Sequence, residues 1–309
     1  MAPLSYLSLL LPFVQKHKHL SRLALYSVPD WHWSIQIPGI GRLRIRLRRN
    51  RSLWLRHPLT HEWFPLAVLR AFVRPTDVVW DVGANIGLYS RILVQCFQAR
   101  QVFAFEPMSD NLPELRYNIT NGGIEDRVTV LPWALSNQDG PAGFQVDDIQ
   151  SASGALDAVY GGDACRARAA LDLPPKVEFV QCRTLDSILR EGRVPPPDVI
   201  KVDIEGAERM FLEGGEKFFS EHSPRLVIET HGSEVTKACL AFLFSKNFHV
   251  AGCVPDSWDP TRYLRLSQDV VERITGPYDV HFIAASKNPE DLPISIERNV
   301  DRLLESDAH

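Results

Sequence analysis

The most informative segment of the sequence is DVVWDVGANIGLYS, residues 77–90, which has the pattern of a buried strand followed by a glycine-rich turn. Gly83, Asn85 and Gly87 have the spacing of a turn that brings the backbone close to a nucleotide. Asp81 precedes the first glycine by two residues, where its charge would repel a pyrophosphate and attract an ammonium or sulfonium group. The segment therefore predicts a ligand that carries positive charge.

A second carboxylate ends the next strand. Glu106 follows the apolar residues of FAFEP, at the position where the acidic residue of such folds hydrogen-bonds the two ribose hydroxyls. An adenosine ligand with a cationic centre and no phosphate, such as S-adenosylmethionine, satisfies both Asp81 and Glu106. Two alternatives stay open, because the glycines can serve loop geometry alone and Glu106 can serve as a charge near the N-terminus of the following helix.

Ionisable side chains also end two later strands. In DVIKVDIEG the alternation places Lys201, Asp203 and Glu205 on one side of the strand, and RLVIETH ends with Glu229 and His231. A central strand of a covered parallel sheet is normally apolar on both faces. These charges therefore indicate a functional edge of the sheet.

The same side chains are of the types that can remove a proton from a hydroxyl group of a substrate. His231 is the candidate base because its unperturbed pKa lies near neutrality, and Lys201 is a further candidate catalytic residue. Asp203 and Glu229 also suit a hard cation such as magnesium, which would lower the pKa of an alcohol. Two structural alternatives stay open. His231 can cap the helix that follows it, and Lys201, Asp203 and Glu205 can form ion pairs that position the helix starting at Gly206.

The composition is typical of a soluble globular protein. Of the 309 residues, 45% are hydrophobic and 23% are charged, and no apolar run reaches the roughly 18 residues that suggest a membrane span. The five cysteines form no CxxC pair or metal-type spacing, so we predict free thiols and no dedicated metal centre. Together with the lack of a signal-peptide pattern, this favours a cytoplasmic location.

Charge is distributed unevenly along the chain. Residues 1–74 contain twelve lysines and arginines against two acids, whereas the remainder has 14 more acids than bases. In GRLRIRLRRNR the arginines alternate with apolar residues, which predicts a strand with one cationic face. This face either pairs with the acidic main domain or grips an anionic substrate or membrane surface. The apolar segment at residues 3–14 predicts a helix docked on the domain, on a partner or peripherally on a membrane.

The chain past residue 74 alternates short apolar runs with helical segments, which predicts a largely parallel sheet with an insertion after the third strand. Strands are predicted at residues 77–83, 101–107, 127–136, 176–182, 198–206, 225–231, 248–253 and 279–286. Helices are predicted at residues 87–98, 109–121, 184–191, 206–220 and 233–246. We divide the chain into a basic extension of helix plus β-hairpin (1–74), a main domain (75–286) and a tail (287–309).

The motif series resembles the FkbM family of S-adenosylmethionine-dependent O-methyltransferases. The resemblance is carried, in matching order over residues 75–285, by VWDVGANIGLYS, FAFEP, ALSNQDG, TLDSIL, IKVDIEGAE and IETH. It implies a Rossmann-like class I methyltransferase fold, with a mostly parallel seven-stranded sheet flanked by helices. The methyl donor would be bound by Asp81, Gly83, Asn85, Gly87, Glu106, Pro107, Ala134, Leu135 and Asp203.

We therefore predict transfer of a methyl group from S-adenosylmethionine to a hydroxyl of a sugar, glycan, lipid-linked saccharide or secondary metabolite. An NAD-dependent oxidoreductase is the alternative enzyme, although Asp81 and Asn85 argue against it. A non-catalytic nucleotide-binding module is the other alternative. No nucleic-acid partner is predicted, because the main domain is acidic and lacks interleaved basic and aromatic residues.

Overall fold

The computed structural model describes residues 29–55, 59, 62–147, 153–156, 174–256, 259–274 and 280–293. The helix predicted near the N-terminus lies outside these residues, as do parts of the long insertion and most of the tail. Among the helices of the described ranges, none has both the length and the apolar character needed to cross a bilayer.

The described chain begins with an antiparallel hairpin and two helices. These are β1 (His32–Ile37), β2 (Gly41–Arg46), α1 (Ser52–Leu55) and α2 (Trp63–Phe72). The alternation predicted for β2 is confirmed, because Leu43 and Ile45 are fully buried while arginines occupy the intervening positions. The two apolar side chains join the same core as α2, so the hairpin is packed into the body of the protein.

The largest element is an eight-stranded sheet with helices on both faces. Its strands are β3 (Val78–Val82), β4 (Gln101–Phe105), β5 (Val128–Leu131), β10 (Val199–Val202), β11 (Arg225–Glu229), β12 (His249–Asp256), β13 (Asp259–Leu266) and β14 (Phe282–Ser286). Their order across the sheet is β13–β12–β14–β11–β10–β3–β4–β5. Six strands run in one direction, and β13 and β14 run in the other.

The remaining elements are helices and a smaller sheet. The helices are α3 (Leu88–Gln95), α4 (Leu112–Asn121), α5 (Leu185–Glu191), α6 (Glu208–Gly214), α7 (Glu216–Glu221), α8 (Ser233–Ser245) and α9 (Gln268–Arg273). The smaller sheet contains β6 (Trp133–Leu135), β7 (Gly140–Asp147), β8 (Ser153–Leu156) and β9 (Val177–Arg183), in the order β6–β9–β7–β8.

The predicted Rossmann-like α/β architecture with a mostly parallel sheet is confirmed, and the sheet has one strand more than the predicted seven. The additional strand, β13, pairs with β12 at the edge of the sheet. Its sequence, DPTRYLRL, lacks the apolar run that identified the other strands. The strand predicted at residues 176–182 corresponds to β9, which lies in the smaller sheet.

Two predicted elements are divided in the structure. The strand predicted at residues 127–136 is interrupted at Pro132 and forms β5 and β6, since proline lacks the N–H that a ladder needs. The helix predicted at residues 206–220 is divided at Gly215 into α6 and α7. The interruption after β5 directs the chain out of the main sheet and into the smaller one.

The main sheet separates two hydrophobic cores. Val79 of β3 faces the core formed with the hairpin, α2, α3 and α4. Val78, Trp80 and Val82 face the opposite core, formed with α5 to α8. Because β3 is covered on both faces, its one charged residue, Asp81, is completely inaccessible to solvent.

The cationic face of the hairpin is paired with acids of the main domain. The Arg44 Nε atom lies 2.6 Å from Glu114 Oε2 in α4, and Arg46 Nε lies 3.4 Å from Glu114 Oε1. Arg49 contacts Asp110 at 2.7 Å and Asp30 at 2.8 Å. Of the two interpretations left open for this face, the described residues show the pairing with the main domain.

Asn118, a buried residue of α4, joins the hairpin to the turn after β3. Its Oδ1 atom accepts the backbone N–H of Arg44 at 2.8 Å. Its Nδ2 atom donates to the carbonyl oxygens of Arg44, at 2.9 Å, and Ile86, at 2.8 Å. The position of the hairpin and the position of the turn are therefore tied through one side chain.

Candidate active site

The parallel strands bring their carboxyl ends to one edge of the sheet. The strand order reverses direction beside β3, which lies between β4 and β10. The turn that follows β3 therefore lies between Glu106, which follows β4, and Asp203, which follows β10. This is the switch point at which open α/β sheets bind ligands.

The turn after β3 is tight at both of its glycines. Gly83 has a φ of +81°, and a Cβ there would lie 1.9 Å from the carbonyl oxygen of Asp203. Gly87 has a φ of +88°, and a Cβ there would lie 2.7 Å from the Leu115 side chain. Asn85 also has left-handed backbone, with a φ of +49°. Side chains at either glycine would push the turn away from its neighbours.

Glu106 closes the turn on its other side. Its Oε2 atom accepts the backbone N–H of Asn85 at 2.8 Å, and its Oε1 atom accepts the backbone N–H of Met108 at 2.9 Å and Asn111 Nδ2 at 3.3 Å. Burial raises the pKa of Glu106 to about 7, although these hydrogen bonds act in the opposite direction. Glu106 therefore holds the turn and also borders the adjoining cleft.

An open cleft lies beside the turn, with about 610 Å³ of empty space that includes solvent at its mouth. Seven of the sequence-predicted cofactor residues line it: Gly83, Asn85, Glu106, Pro107, Ala134, Leu135 and Asp203. Phe144 of β7 and Leu156 of β8 form part of the wall, so the insertion contributes apolar surface to this cleft. Sequence reasoning missed both side chains, because their segment has no regular hydrophobic period.

Asp81 and Gly87 do not line the cleft. The Asp81 carboxylate is completely inaccessible to solvent; Oδ2 accepts the Ser90 hydroxyl at 2.6 Å and Oδ1 lies 3.6 Å from the Lys201 ammonium. The sequence-based expectation that Asp81 itself faces the cation of a ligand does not match this placement. Its charge is instead matched inside the protein, because the sheet register sets Lys201 beside it.

Lys201 connects the turn to Asp203. Its ammonium donates to the Gly83 carbonyl oxygen at 3.2 Å, lies 3.4 Å from Asp203 Oδ2 and sits 4.7 Å from the centroid of the Tyr89 ring. Burial lowers the pKa of Lys201, but the surrounding carboxylates, chiefly Asp203 and Asp81, outweigh it and raise the pKa overall. Lys201 is therefore a permanent positive charge under the turn.

His231 lies among four carboxylates. Its Nδ1 atom is 2.8 Å from Glu208 Oε1, and its Nε2 atom is 3.7 Å from Glu205, 3.8 Å from Asp203 and 3.9 Å from Glu229. Burial lowers the pKa of His231, but the hydrogen bond to Glu208 and the neighbouring acids raise it to about 10. With no cation bound among these carboxylates the imidazole is therefore protonated at neutral pH, and it must lose this proton before it can act as the predicted base or bind a metal.

The strand-end residues converge as a group. Ligand atoms of Asp203, Glu229 and His231 all lie within 4.8 Å of one another. His281, just before β14, joins them, because its Nε2 atom lies 2.9 Å from Glu229 Oε1. Sequence reasoning missed His281 because it examined only carboxyl ends of strands. Since β14 is antiparallel to β11, its amino end meets the same edge.

Two further acidic residues belong to this edge. Glu205 lines the cleft and has left-handed backbone, with a φ of +53°. Burial and the neighbouring acids raise the pKa of Glu205 to about 7, although His231 acts in the opposite direction.

Glu62, which lies just before α2, accepts a hydrogen bond from the Tyr89 hydroxyl at 2.6 Å. Burial and the nearby Glu229 raise the pKa of Glu62 to about 7. Nothing in the local sequence around Glu62 indicated this placement.

Comparison with known proteins matches residues 81–250 to the family described as "Methyltransferase FkbM domain". Hexuronic acid methyltransferase AglP from Haloferax volcanii is 30% identical over 175 residues, which cover 55% of this chain and 63% of that protein. The 2-O-methyltransferase NoeI from Sinorhizobium fredii is 27% identical over 149 residues, covering 47% of this chain and 59% of that protein. This chain thus spans about three fifths of the length of these two relatives.

A crystal structure of methyltransferase FkbM from Methylobacillus flagellatus KT is 17% identical, with a TM-score of 0.37 over 74% of this chain and 50% of that chain. The family match covers more than half of the present chain. It contains the glycine turn, Glu106 and the cluster of Asp203, Glu229 and His231. The chain belongs to the FkbM methyltransferase family.

Proposed function

We propose that the protein transfers a methyl group from S-adenosylmethionine to a hydroxyl group of a sugar, glycan, lipid-linked saccharide or secondary metabolite. The observation that carries this proposal is one cleft that joins the glycine turn and Glu106 to Asp203, the nearest member of the strand-end cluster. The names of two relatives support this acceptor class, since NoeI is a 2-O-methyltransferase, which indicates an oxygen acceptor, and AglP is a hexuronic acid methyltransferase, which indicates a sugar.

The residues of the cleft fit this cofactor. Ala134, Leu135 and Phe144 offer apolar surface to the adenine ring. A carboxylate can accept about four hydrogen bonds, so Glu106 has capacity for a ribose hydroxyl beyond its three protein donors. The Asp203 carboxylate faces the same cleft and would attract the positive charge of the ligand. When bound, S-adenosylmethionine supplies a methyl group on a positively charged sulfur.

We place the acceptor hydroxyl at the cluster of Asp203, Glu229 and His231, which lies at the Asp203 end of the cleft. Lys201 holds Asp203 in position there through its ammonium group. Orientation of the hydroxyl toward the methyl group supplies much of the rate in such a transfer. The hydroxyl proton must also leave, and the cluster provides carboxylates that can receive it.

A divalent cation such as magnesium is the second cofactor that we propose for the cluster. The support is the convergence of three ligand-type side chains, two of them carboxylates, within 4.8 Å. Glu208 orients His231 through its Nδ1 atom, in the way that carboxylates commonly orient metal-binding histidines. A bound cation would lower the pKa of an acceptor hydroxyl.

Three measurements test these proposals separately. Calorimetric titration with S-adenosylhomocysteine and with NAD asks which cofactor the cleft accepts, and binding of NAD alone would overturn the methyltransferase assignment. Incubation with S-adenosylmethionine and a panel of sugars and glycans, followed by mass spectrometry, should give a product heavier by one CH2 group. Activity that survives EDTA unchanged would exclude the cation, whereas loss restored by magnesium would support it.

A further inference from the structure

Glu62 precedes the family match by nineteen residues, yet its side chain contacts α3, the helix that follows the glycine turn. Its Oε2 atom accepts a hydrogen bond from the Tyr89 hydroxyl at 2.6 Å. Tyr89 lies in the first turn of α3, directly after the glycine turn. The bond therefore connects the N-terminal extension to the element that continues from the cofactor turn.

Tyr89 in turn restrains Lys201. The Lys201 ammonium lies 4.7 Å from the centroid of the Tyr89 ring, a distance typical of a cation–π contact. The same ammonium donates to the Gly83 carbonyl oxygen and lies 3.4 Å from Asp203 Oδ2. A displacement of the Tyr89 ring would therefore move Lys201 and, through it, both the glycine turn and the Asp203 carboxylate.

The path from Glu62 to Lys201 is enclosed. Tyr89 is 8% exposed and Lys201 is 4% exposed, so neither side chain has room to find another partner in water. Packing at the start of α2 also restrains Glu62. Phe64, two residues after Glu62, is fully buried and stacks on Phe282 at a centroid distance of 5.5 Å. The packing of α2 against β14 thus sets where the Glu62 carboxylate lies.

We propose that Glu62 is a positioning residue of the methyltransferase centre, acting through Tyr89 on Lys201. The segment that precedes the family domain is then part of the active centre. This inference rests on the proposed function, since it assigns Glu62 to the centre where that function would take place. The physical link is the contact series Glu62–Tyr89–Lys201–Gly83.

The test is a double-mutant cycle read out by calorimetric binding of S-adenosylhomocysteine. Glu62→Ala and Tyr89→Phe should each weaken binding about tenfold, because each removes the hydrogen bond that fixes the Tyr89 ring against Lys201. The double variant should bind no more weakly than either single variant, because both act on one path. Glu62→Gln keeps a carbonyl acceptor for the tyrosine hydroxyl and should restore binding to within about twofold of wild type.

Phe218→Leu is the control, since Phe218 is buried in the opposite core, on the other face of the main sheet from Tyr89. It should lower the melting temperature and leave the affinity for S-adenosylhomocysteine unchanged. Binding unaffected by Glu62→Ala, multiplicative losses in the double variant, or an equal loss in Phe218→Leu would each overturn the inference.

A second readout separates this inference from the proposed function. The Nζ resonance of Lys201 in 15N-labelled protein should be protected from solvent exchange in wild type and in Glu62→Gln. The protection should be lost in Glu62→Ala and in Tyr89→Phe. Should wild type fail to bind S-adenosylhomocysteine, the proposed function falls and the positioning role is decided by this resonance. A protected resonance in Glu62→Ala would refute the positioning role.

Discussion

The Lys201 ammonium lies 3.6 Å from Asp81 Oδ1, and both side chains are buried behind the glycine turn. Their strands, β10 and β3, are hydrogen-bonded neighbours with these two residues in register. A buried pair of this kind neutralises itself, whereas a lone charge in the same place would be strongly unfavourable. A cationic ligand in the cleft would therefore be met first by Asp203 and Glu205.

Replacing Asp81 by Asn should destabilise the protein by about 3 kcal/mol, because it removes one partner of a buried ion pair. Urea unfolding at neutral pH measures the loss. Asp126→Asn, at an exposed position, is the control and should stay within about 0.5 kcal/mol of wild type. An Asp81→Asn protein with unchanged stability and no affinity for S-adenosylhomocysteine would place Asp81 against the ligand instead.

Gly83→Ala should disrupt the turn far more than Gly123→Ala. Both glycines have positive φ, at +81° and +62°, so both substitutions incur backbone strain of about 1 kcal/mol. Only at Gly83 does the new Cβ meet backbone, 1.9 Å from the Asp203 carbonyl oxygen, whereas nothing lies within 4 Å at Gly123. We expect a loss of cofactor binding and a lower melting temperature for Gly83→Ala, and a small melting shift alone for Gly123→Ala. Equal effects on binding would contradict this view of the turn.

The raised pKa of Glu106 predicts a pH dependence of the free protein. Because its pKa is about 7 when folded and about 4.5 when unfolded, the folded state holds the proton more tightly. The associated stability is full below pH 4.5 and falls by roughly 3 kcal/mol as the pH rises through 7. Urea unfolding of wild type and Glu106→Gln across this interval gives the contribution as their difference. If the unfolding free energies of the two proteins changed in parallel with pH, Glu106 would not be the source of the pH dependence.

Ionised Glu106 is the better acceptor for ribose hydroxyls, so cofactor affinity should move the other way. S-adenosylhomocysteine should bind wild type about tenfold more tightly at pH 8 than at pH 6, as the carboxyl group loses its proton. The variant Glu106→Gln lacks this ionisation and should show a smaller change. Calorimetry at the two pH values makes the comparison, and an identical change in the variant would assign the effect to other groups.

Glu114→Gln should loosen the hairpin from α4. The Glu114 carboxylate is almost fully buried and lies 2.6 Å from both Arg44 Nε and His32 Nε2. Its loss should cost about 3 kcal/mol, because the arginines keep their charge without their partner. Limited trypsin digestion should then cut at the hairpin arginines, while Glu125→Gln, at an exposed position, should digest like wild type. Unchanged protection in Glu114→Gln would show that apolar packing alone holds the hairpin.

The parallel strands could be predicted from the sequence because each is a short apolar run bounded by turn residues, as DVVWDVG and QVFAFEP illustrate. The edge strand β13 and the part of the cleft wall formed by β7 and β8 could not be predicted, since their segments are polar or rich in small residues. A single sequence also does not show which residues of neighbouring strands lie opposite each other. For that reason the alternation placed Lys201 and Asp203 on one face, but gave no sign that Asp81 lies directly beside Lys201.

The convergence of Asp203, Glu229 and His231 followed from the rule that parallel strands end at one edge. The protonation state of His231 did not, because it depends on Glu208, which lies 23 residues earlier in the chain and contacts His231 only after folding. The unperturbed pKa of histidine, which lies near neutrality, therefore did not predict the protonation state of His231. Where several ionisable groups lie together, the charge of each group depends on the neighbours that folding brings to it.

The Asn118 side chain makes two hydrogen bonds to Arg44 and one to Ile86, which bears on how the protein can be shortened or recombined. A clone trimmed to the recognised family domain would discard the hairpin strands, and with them both hydrogen bonds between Asn118 and Arg44 and the apolar contacts of β2 with the core. Chimeras that graft the leading segment of one homologue onto the catalytic domain of another should carry α4 across together with it.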